Sequence, residues 1–262
     1  MVIGRVEGRQ IGRHRGQALV ISAVALVLAV SAASGSLAAA AVQPANPQPG
    51  DPLPACAYRQ VTTRYTAYGD WKMTLLDSRE RVSSDYVPPD LVSVGQADIA
   101  GSGRVRAVMI DDLRAMAAAA RRAGDGIAVR SAYRSYADQA AVFRSWVRQH
   151  GYAAALLESA RPGHSEHQLG LAIDFRSASS SRAPWDYPDW ARTGPGRWMK
   201  NNAWQYGFIM SYPKGKTAST CYEYEPWHYR YVGRAEAAAV HASGEVLRRY
   251  LWDHFETAPE GS

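Results

Sequence analysis

The segment from Ser165 to Asp174, SEHQLGLAID, limits the folds open to this chain more than any other stretch. Arg161-Pro162-Gly163 comes just before it and breaks any helix, which places residues 164 to 167 in a loop. From Gly170 to Phe175 the pattern alternates, with Leu171, Ile173 and Phe175 on one face of a strand. Asp174 then points to the opposite face, where a carboxylate needs a partner. Ala172 and the bare Gly170 leave uncrowded backbone over which His167 could reach the same space. Farther on, Glu225 to His228 reads EPWH and leads into a second strand pattern over residues 227 to 232. A loop and two strands, remote in sequence, thus carry complementary polar groups.

Imidazole and carboxylate are good donors to zinc, and hydrolytic zinc sites use three protein ligands with a fourth position for water. His167, Asp174 and His228 would be such a trio, holding one zinc per chain, with Glu225 three residues ahead of His228 as general base. Each half alone is weak, because His/Asp pairs and Glu-x-x-His arise by chance in most chains. The full pattern Ser-x-His-x-x-Gly-x-Ala-x-Asp fixes five positions and should arise by chance roughly once in 10,000 chains of this length.

The rest of the chain reads as helices and short strands without regular strand-helix-strand spacing, which favours an α+β fold with an antiparallel sheet. Residues 56 to 94 mix β-branched and aromatic residues with turn formers, so irregular structure with short strands is expected there. A core helix is predicted over 106 to 123, with Val108, Leu113, Met116, Ala117 and Ala120 inward and Gly124 at its end. A strand follows over 126 to 131, then helices over 136 to 150 and 152 to 160. Residues 177 to 195, rich in Ser, Pro and Trp, read as a surface insertion over or near the site. Residues 196 to 205 look helical, 207 to 212 strand-like, and 214 to 220 a loop. A C-terminal helix is predicted over 235 to 255, with Ala238, Val246, Leu247, Tyr250 and Leu251 inward.

The chain is organised around one folded domain over residues 56 to 262. Residues 1 to 17 are polar and basic and Ala18 to Val30 is apolar but for Ser22, the layout of a signal peptide or an uncleaved N-terminal membrane anchor over 1 to 42. A Pro-rich linker, 43 to 55, follows. Either way the folded part lies outside the cytoplasm, secreted or in the wall, and touches membrane only through that segment. Cys56 and Cys221 are the only cysteines, and an even count in an exported chain implies a disulfide. The net charge of +6 is mild, partly contributed by Arg5, Arg9, Arg13 and Arg15, and no basic block interleaved with aromatics argues for nucleic acid. A monomer is expected.

These residues closely resemble the zinc D-alanyl-D-alanine carboxypeptidases of the VanY type, relatives of the VanX dipeptidases with a hedgehog-like fold. SAYRSYADQ from Ser131, SYPKGK from Ser211 and EPWHYRYVG from Glu225 match in the same order, so the likeness spans about Tyr65 to Val232. It implies a single-domain fold with a small antiparallel sheet flanked by helices, the ligand trio and base already named, and removal of the terminal D-alanine from peptidoglycan stem peptides. Arg134 matches the arginine that contacts the scissile carbonyl or the substrate carboxylate, while Ser165, Gln139, Tyr212 and Trp227 match substrate-pocket positions. An L,D-carboxypeptidase or a wall endopeptidase fits the same residues. A non-catalytic wall-binding domain would lack ligands or base, and here all four are present. One departure is Ala132, where the family pattern has glycine. His164 is close enough to the ligands to support them, and the remaining histidines read as incidental.

Overall fold

The computed structural model describes residues 47, 48 and 50 to 257. The expected signal or anchor over 1 to 42, and residues 43 to 46 and 49 of the linker, fall outside them. Between Cys56 and α1 the chain is irregular, with β1 (Val61–Thr62) parallel to β2 (Glu80–Arg81) and β3 (Leu91–Ser93) antiparallel to β4 (Arg104–Arg106). Then come α1 (Ile110–Arg122), β5 (Ile127–Ser131), α2 (Tyr136–His150), α3 (Tyr152–Glu158), β6 (Ala172–Ser177) and α4 (Gly194–Asn202). The chain continues through β7 (Phe208–Met210), α5 (Thr217–Thr220), β8 (His228–Tyr231), α6 (Arg234–Ser243) and α7 (Leu247–Leu251). β5, β6, β8 and β7, in that spatial order, form one antiparallel sheet, and the fold is α+β as expected.

Alternation along the strands divides the sheet into two functions. Ile173 and Phe175 of β6, Tyr229 and Tyr231 of β8 and Phe208 of β7 join one apolar cluster with Leu113, Met116 and Ala120 of α1 and Met199 of α4. Phe175 packs edge-on against both Phe208 and Tyr229. Full burial of each such side chain stabilises by roughly 1.5–3 kcal/mol. The positions between them, Asp174 on β6 and His228 and Arg230 on β8, take the opposite phase of the alternation.

Local chemistry explains the helices that frame the site. α2 opens with a capping box, in which the Ser135 hydroxyl accepts the Asp138 N–H at 3.1 Å and the Asp138 carboxylate accepts the Ser135 N–H at 3.2 Å. α1 carries Asp111 and Asp112 in its first turn and Arg121 and Arg122 in its last, matching the helix dipole. On the outer edge of β5, the Val129 N–H donates to Ala100 O at 2.8 Å, and Ala100 pairs with Ala128 as an isolated parallel bridge.

Five expectations need correction, one being the loop over 214 to 220, whose last four residues form α5. The predicted helix over 106 to 123 begins only at Ile110, because Arg106 is drawn into β4 and Ala107–Met109 form a 3₁₀ turn, leaving Val108 41% exposed. The predicted C-terminal helix over 235 to 255 is interrupted at Gly244, which adopts φ 71°, and becomes α6, α7 and a π-helical turn, Trp252–Glu256. Ala238 is consequently exposed, and Ala237 and Val240 face inward. Of residues 164 to 167, expected in a loop, Glu166 and His167 instead open a 3₁₀ turn, Glu166–Leu169. The 177 to 195 insertion is anchored rather than superficial, since Trp190 is fully buried in the main core.

Cys56 and Cys221 are joined, with Cα atoms 5.3 Å apart, so the start of the domain is tied to the end of α5. Arg248 of α7 reinforces this seam by donating to Asp77 at 2.5 Å, to Ser219 O at 3.0 Å and to Pro54 O at 3.0 Å. Beside it, Glu80 and Glu256 are buried close to Asp77. Burial, with Asp77 and Glu256 adding to it, pushes Glu80 up to about 8 against Arg79 and Arg248. Burial likewise pushes Glu256 up to about 7, against the hydroxyl of Thr63 and the backbone and charge of Arg64.

Two outcomes are expected. Because both carboxyls bind protons more tightly in the fold than when unfolded, their contribution is whole below about pH 4.5 and is lost as pH rises through 7 to 8. Glu80→Gln should therefore flatten the fall in Tm between pH 5 and pH 8 in scanning calorimetry; an unchanged slope contradicts the assignment. Separately, Cys56→Ser with Cys221→Ser should lower unfolding free energy by about 2–5 kcal/mol in denaturant titrations.

Candidate metal centre

The site is assembled by strand register. Asp174 of β6 lies directly opposite His228 of β8, and Ser131 of β5 lies opposite Asp174 on the other side. A register shift between Val129 and Ser131 marks an irregularity of the bulge type in β5, a device that re-aims the residues that follow it. His167 arrives from the 3₁₀ turn Glu166–Leu169, which ends at Gly170 with φ 68°. That positive φ favours glycine in this tight return into β6, and a β-carbon there would also press on Leu91 Cδ2 at 2.8 Å. Ser165 caps the turn, its hydroxyl accepting the His167 N–H at 3.4 Å.

One ligand atom from each of His167, Asp174 and His228 can be chosen so that all three lie within 4.8 Å of one another. His167 Nε2 is 3.2 Å from one Asp174 oxygen and His228 Nδ1 is 3.0 Å from the other. The far edges of both rings are engaged elsewhere. His167 Nδ1 lies 2.7 Å from Ala132 O and His228 Nε2 lies 2.8 Å from Glu166 Oε2. Carbonyl or carboxylate support on the far nitrogen is the usual setting of a metal-binding histidine, so the donor set suits a cation such as zinc. All three side chains are at most 6% exposed.

The electrostatics are those of a dense, buried charge cluster. Burial by itself would raise Asp174, but His167 and His228 outweigh it and hold the carboxyl well below the usual range. Burial and the Arg134 charge pull the His167 imidazole down to about 4, against Asp174. Burial pushes Glu225 up to about 7, with Asp174 adding to this and His228 and Arg134 opposing it. Glu225 sits 3.7 Å from His228 Nδ1 with its side chain 22% exposed, the most open of the four.

A cavity of about 520 Å³ opens on this cluster, lined by Arg134, Ser165, Asp174, Tyr212, Glu225 and Trp227 among others. Arg134 is held on two sides, its Nε donating to Gln139 at 2.9 Å and its Nη1 to Ser131 at 3.0 Å, with Asp174 at 3.5 Å. Tyr212 packs its ring 4.9 Å from that of His228, and Trp227 meets Trp185 edge-on at 6.0 Å. Trp185, from the insertion, is a cavity wall that the sequence pattern did not single out, as are Trp146 and Tyr222.

Gln139 departs from the expected pocket-lining role. It is fully buried and spends its amide on Arg134, on Ala160 O at 2.6 Å and on Ser159 at 3.3 Å, so it braces the arginine from behind. His164 is also fully buried, bonded to Asp77 O at 2.9 Å rather than to a ligand. The Ala132 methyl is accommodated because Gly103 faces it; a β-carbon there would lie 2.8 Å from Ala132 Cβ. Sequence reasoning missed Glu166, which is 4% exposed and touches His228, Ser211 and Arg230. The available signal was its place beside a ligand, together with an arginine two positions beyond the third ligand on the same strand face.

Comparison with known proteins covers the segment that carries this site. Residues 102–234 match the VanY family model, described as D-alanyl-D-alanine carboxypeptidase. The protein YodJ of Bacillus subtilis (strain 168) is 36% identical over 184 residues, covering 68% of this chain and 66% of that relative's length. Among solved structures, the LdcB LD-carboxypeptidase superposes with a TM-score of 0.61 at 34% identity, covering 70% of this chain and 87% of its own. A zinc complex of a variant of the vancomycin resistance D,D-pentapeptidase VanY, from a VanB-type cassette, gives 0.59 at 30%, covering 69% and 99%. With its fold and matched segment in accord, the chain belongs to the VanY family of D-alanyl-D-alanine carboxypeptidases.

Proposed function

We propose that this chain is an exported zinc D,D-carboxypeptidase that removes the C-terminal D-alanine from peptidoglycan stem peptides. The observation that carries the reading is the clustering of His167, Asp174 and His228 at the wall of a cavity that Asp174, Glu225 and Arg134 line. The trio would hold one zinc, which supplies Lewis acidity to polarise the scissile carbonyl and to acidify water. Glu225, partly open to the cavity and held high by burial, is suited to take a proton from water and return it to the leaving amine. Arg134 offers a fixed fork of donors, pre-set by Gln139 and Ser131, to a substrate carbonyl or carboxylate. Trp146, Trp185 and Trp227 wall the cavity beside these groups and offer apolar surface to a bound peptide. A disulfide between the only two cysteines and the basic-then-apolar N-terminal sequence support an extracytoplasmic address. The partner is a stem peptide, the chain acting as a monomer.

The likeness to the LdcB LD-carboxypeptidase favours a second reading, cleavage of the terminal D-alanine from a tetrapeptide stem. Purified protein should release D-alanine from a pentapeptide stem ending in D-Ala-D-Ala, lose this activity to a chelator and regain it with zinc. Mass spectrometry of digested muropeptides separates the readings: pentapeptide shortened to tetrapeptide supports the first, tetrapeptide shortened to tripeptide the second, and no loss under any metal condition refutes both.

The pH profile tests Glu225. A base must be ionised, so kcat/KM should fall as pH drops below about 7. Glu225→Gln should cost about 10²–10⁴ in turnover and remove that acidic limb; retention of full turnover by this variant excludes Glu225 as the base.

A further inference from the structure

We propose that Glu166 is a positioning residue for the metal centre, its carboxylate accepting the Nε2 proton of His228 so that the Nδ1 edge of the ring faces His167 and Asp174. The inference rests on reading His167, Asp174 and His228 as ligands.

A histidine ligand must keep one ring nitrogen bare and carry its proton on the other. For His167 this is settled by Ala132 O, 2.7 Å from Nδ1, because a carbonyl can only accept. His228 faces a harder choice. It lies between two carboxylates, Asp174 at 3.0 Å from Nδ1 and Glu166 at 2.8 Å from Nε2, and the carboxylate that holds the proton decides which edge is free. Asp174 belongs to the trio, so the proton must be held by Glu166 if the ring is to join that trio through Nδ1.

Glu166 is equipped to do this from outside the trio. The Ser211 hydroxyl donates to Oε2 at 2.6 Å, the same oxygen that faces His228. Arg230, fully buried, brings Nη1 to 3.5 Å from Oε1, and Nη1 has no hydrogen-bond partner among the described residues. The guanidinium is itself fixed by Trp71 O at 2.7 Å and Tyr231 O at 3.2 Å. Neither buried charge is tolerable without the other, so the carboxylate is maintained by the protein's own arginine. Strand geometry produces the arrangement: His228 and Arg230 are two apart on β8 and share a face, and Glu166 precedes His167 in the turn set against that face. One dipeptide, Glu166-His167, therefore supplies a ligand and the support of another ligand.

The test uses the full chain. Zinc affinity is measured by competition with a chromophoric chelator for wild type, Glu166→Gln and Ser211→Ala, with circular dichroism and melting of the chelator-treated proteins as the fold control. Glu166→Gln should bind zinc about 10–100-fold more weakly, and Ser211→Ala should weaken binding in the same direction by less. In ¹⁵N-histidine spectra of the zinc-loaded wild type, His228 should carry its proton on Nε2. A folded Glu166→Gln that binds zinc within about twofold of wild type, or a His228 ring protonated on Nδ1, overturns the inference. If Glu166→Gln does not fold, undiminished affinity in Ser211→Ala overturns it equally. Wild type that binds no zinc would instead overturn the ligand reading itself.

Discussion

The cross-strand pair of Asp174 and His228 is the constraint from which the rest of the site follows. Side chains alternate along a strand, so a slip of β6 against β8 by one residue would exchange every core residue for a site residue. The register is held from the far face, where Ile173, Phe175, Tyr229 and Phe208 interlock and have no equivalent packing one step away. The apolar core and the polar centre are thus two readings of one hydrogen-bonded ladder. His167 and Arg134 are then delivered to that ladder by the Gly170 turn and by the irregular end of β5.

The cluster holds together because its charges are distributed rather than paired off singly. Asp174 meets both imidazoles and Arg134, and Glu166 meets His228 and Arg230, so each buried ion has more than one neighbour of opposite or neutralising character. Charges so deeply buried are costly in a fold and are tolerated only when each finds several partners. Glu225 stands apart in this respect, with partial exposure and, among the described residues, no hydrogen bond to its carboxylate to fix it in one state.

Much of the centre was legible in the sequence because its signals are local. The alternation Leu171, Ile173, Phe175 sets the direction of Asp174 without any knowledge of the sheet, and the structure places those three residues in the core. The likeness to a known family pointed to the same residues, and the even cysteine count pointed to the bridge. The roles of Gln139 and Glu166 were illegible for the opposite reason: each acts across the fold, on a side chain or carbonyl brought near only by tertiary packing. The helix boundaries failed where a competing interaction won, Arg106 pairing in β4 ahead of α1 and Gly244 taking a left-handed conformation between α6 and α7. Neither effect has a signature in apolar periodicity.

The bridge at Ala100 on the outer side of β5 has a consequence for association between copies of the chain. β5 is an edge strand, and an open edge next to a substrate cavity would invite a second chain to add a strand. The Val129 N–H is already spent on Ala100 O. A short crossing segment therefore acts as a guard against edge-to-edge association beside the mouth of the cavity.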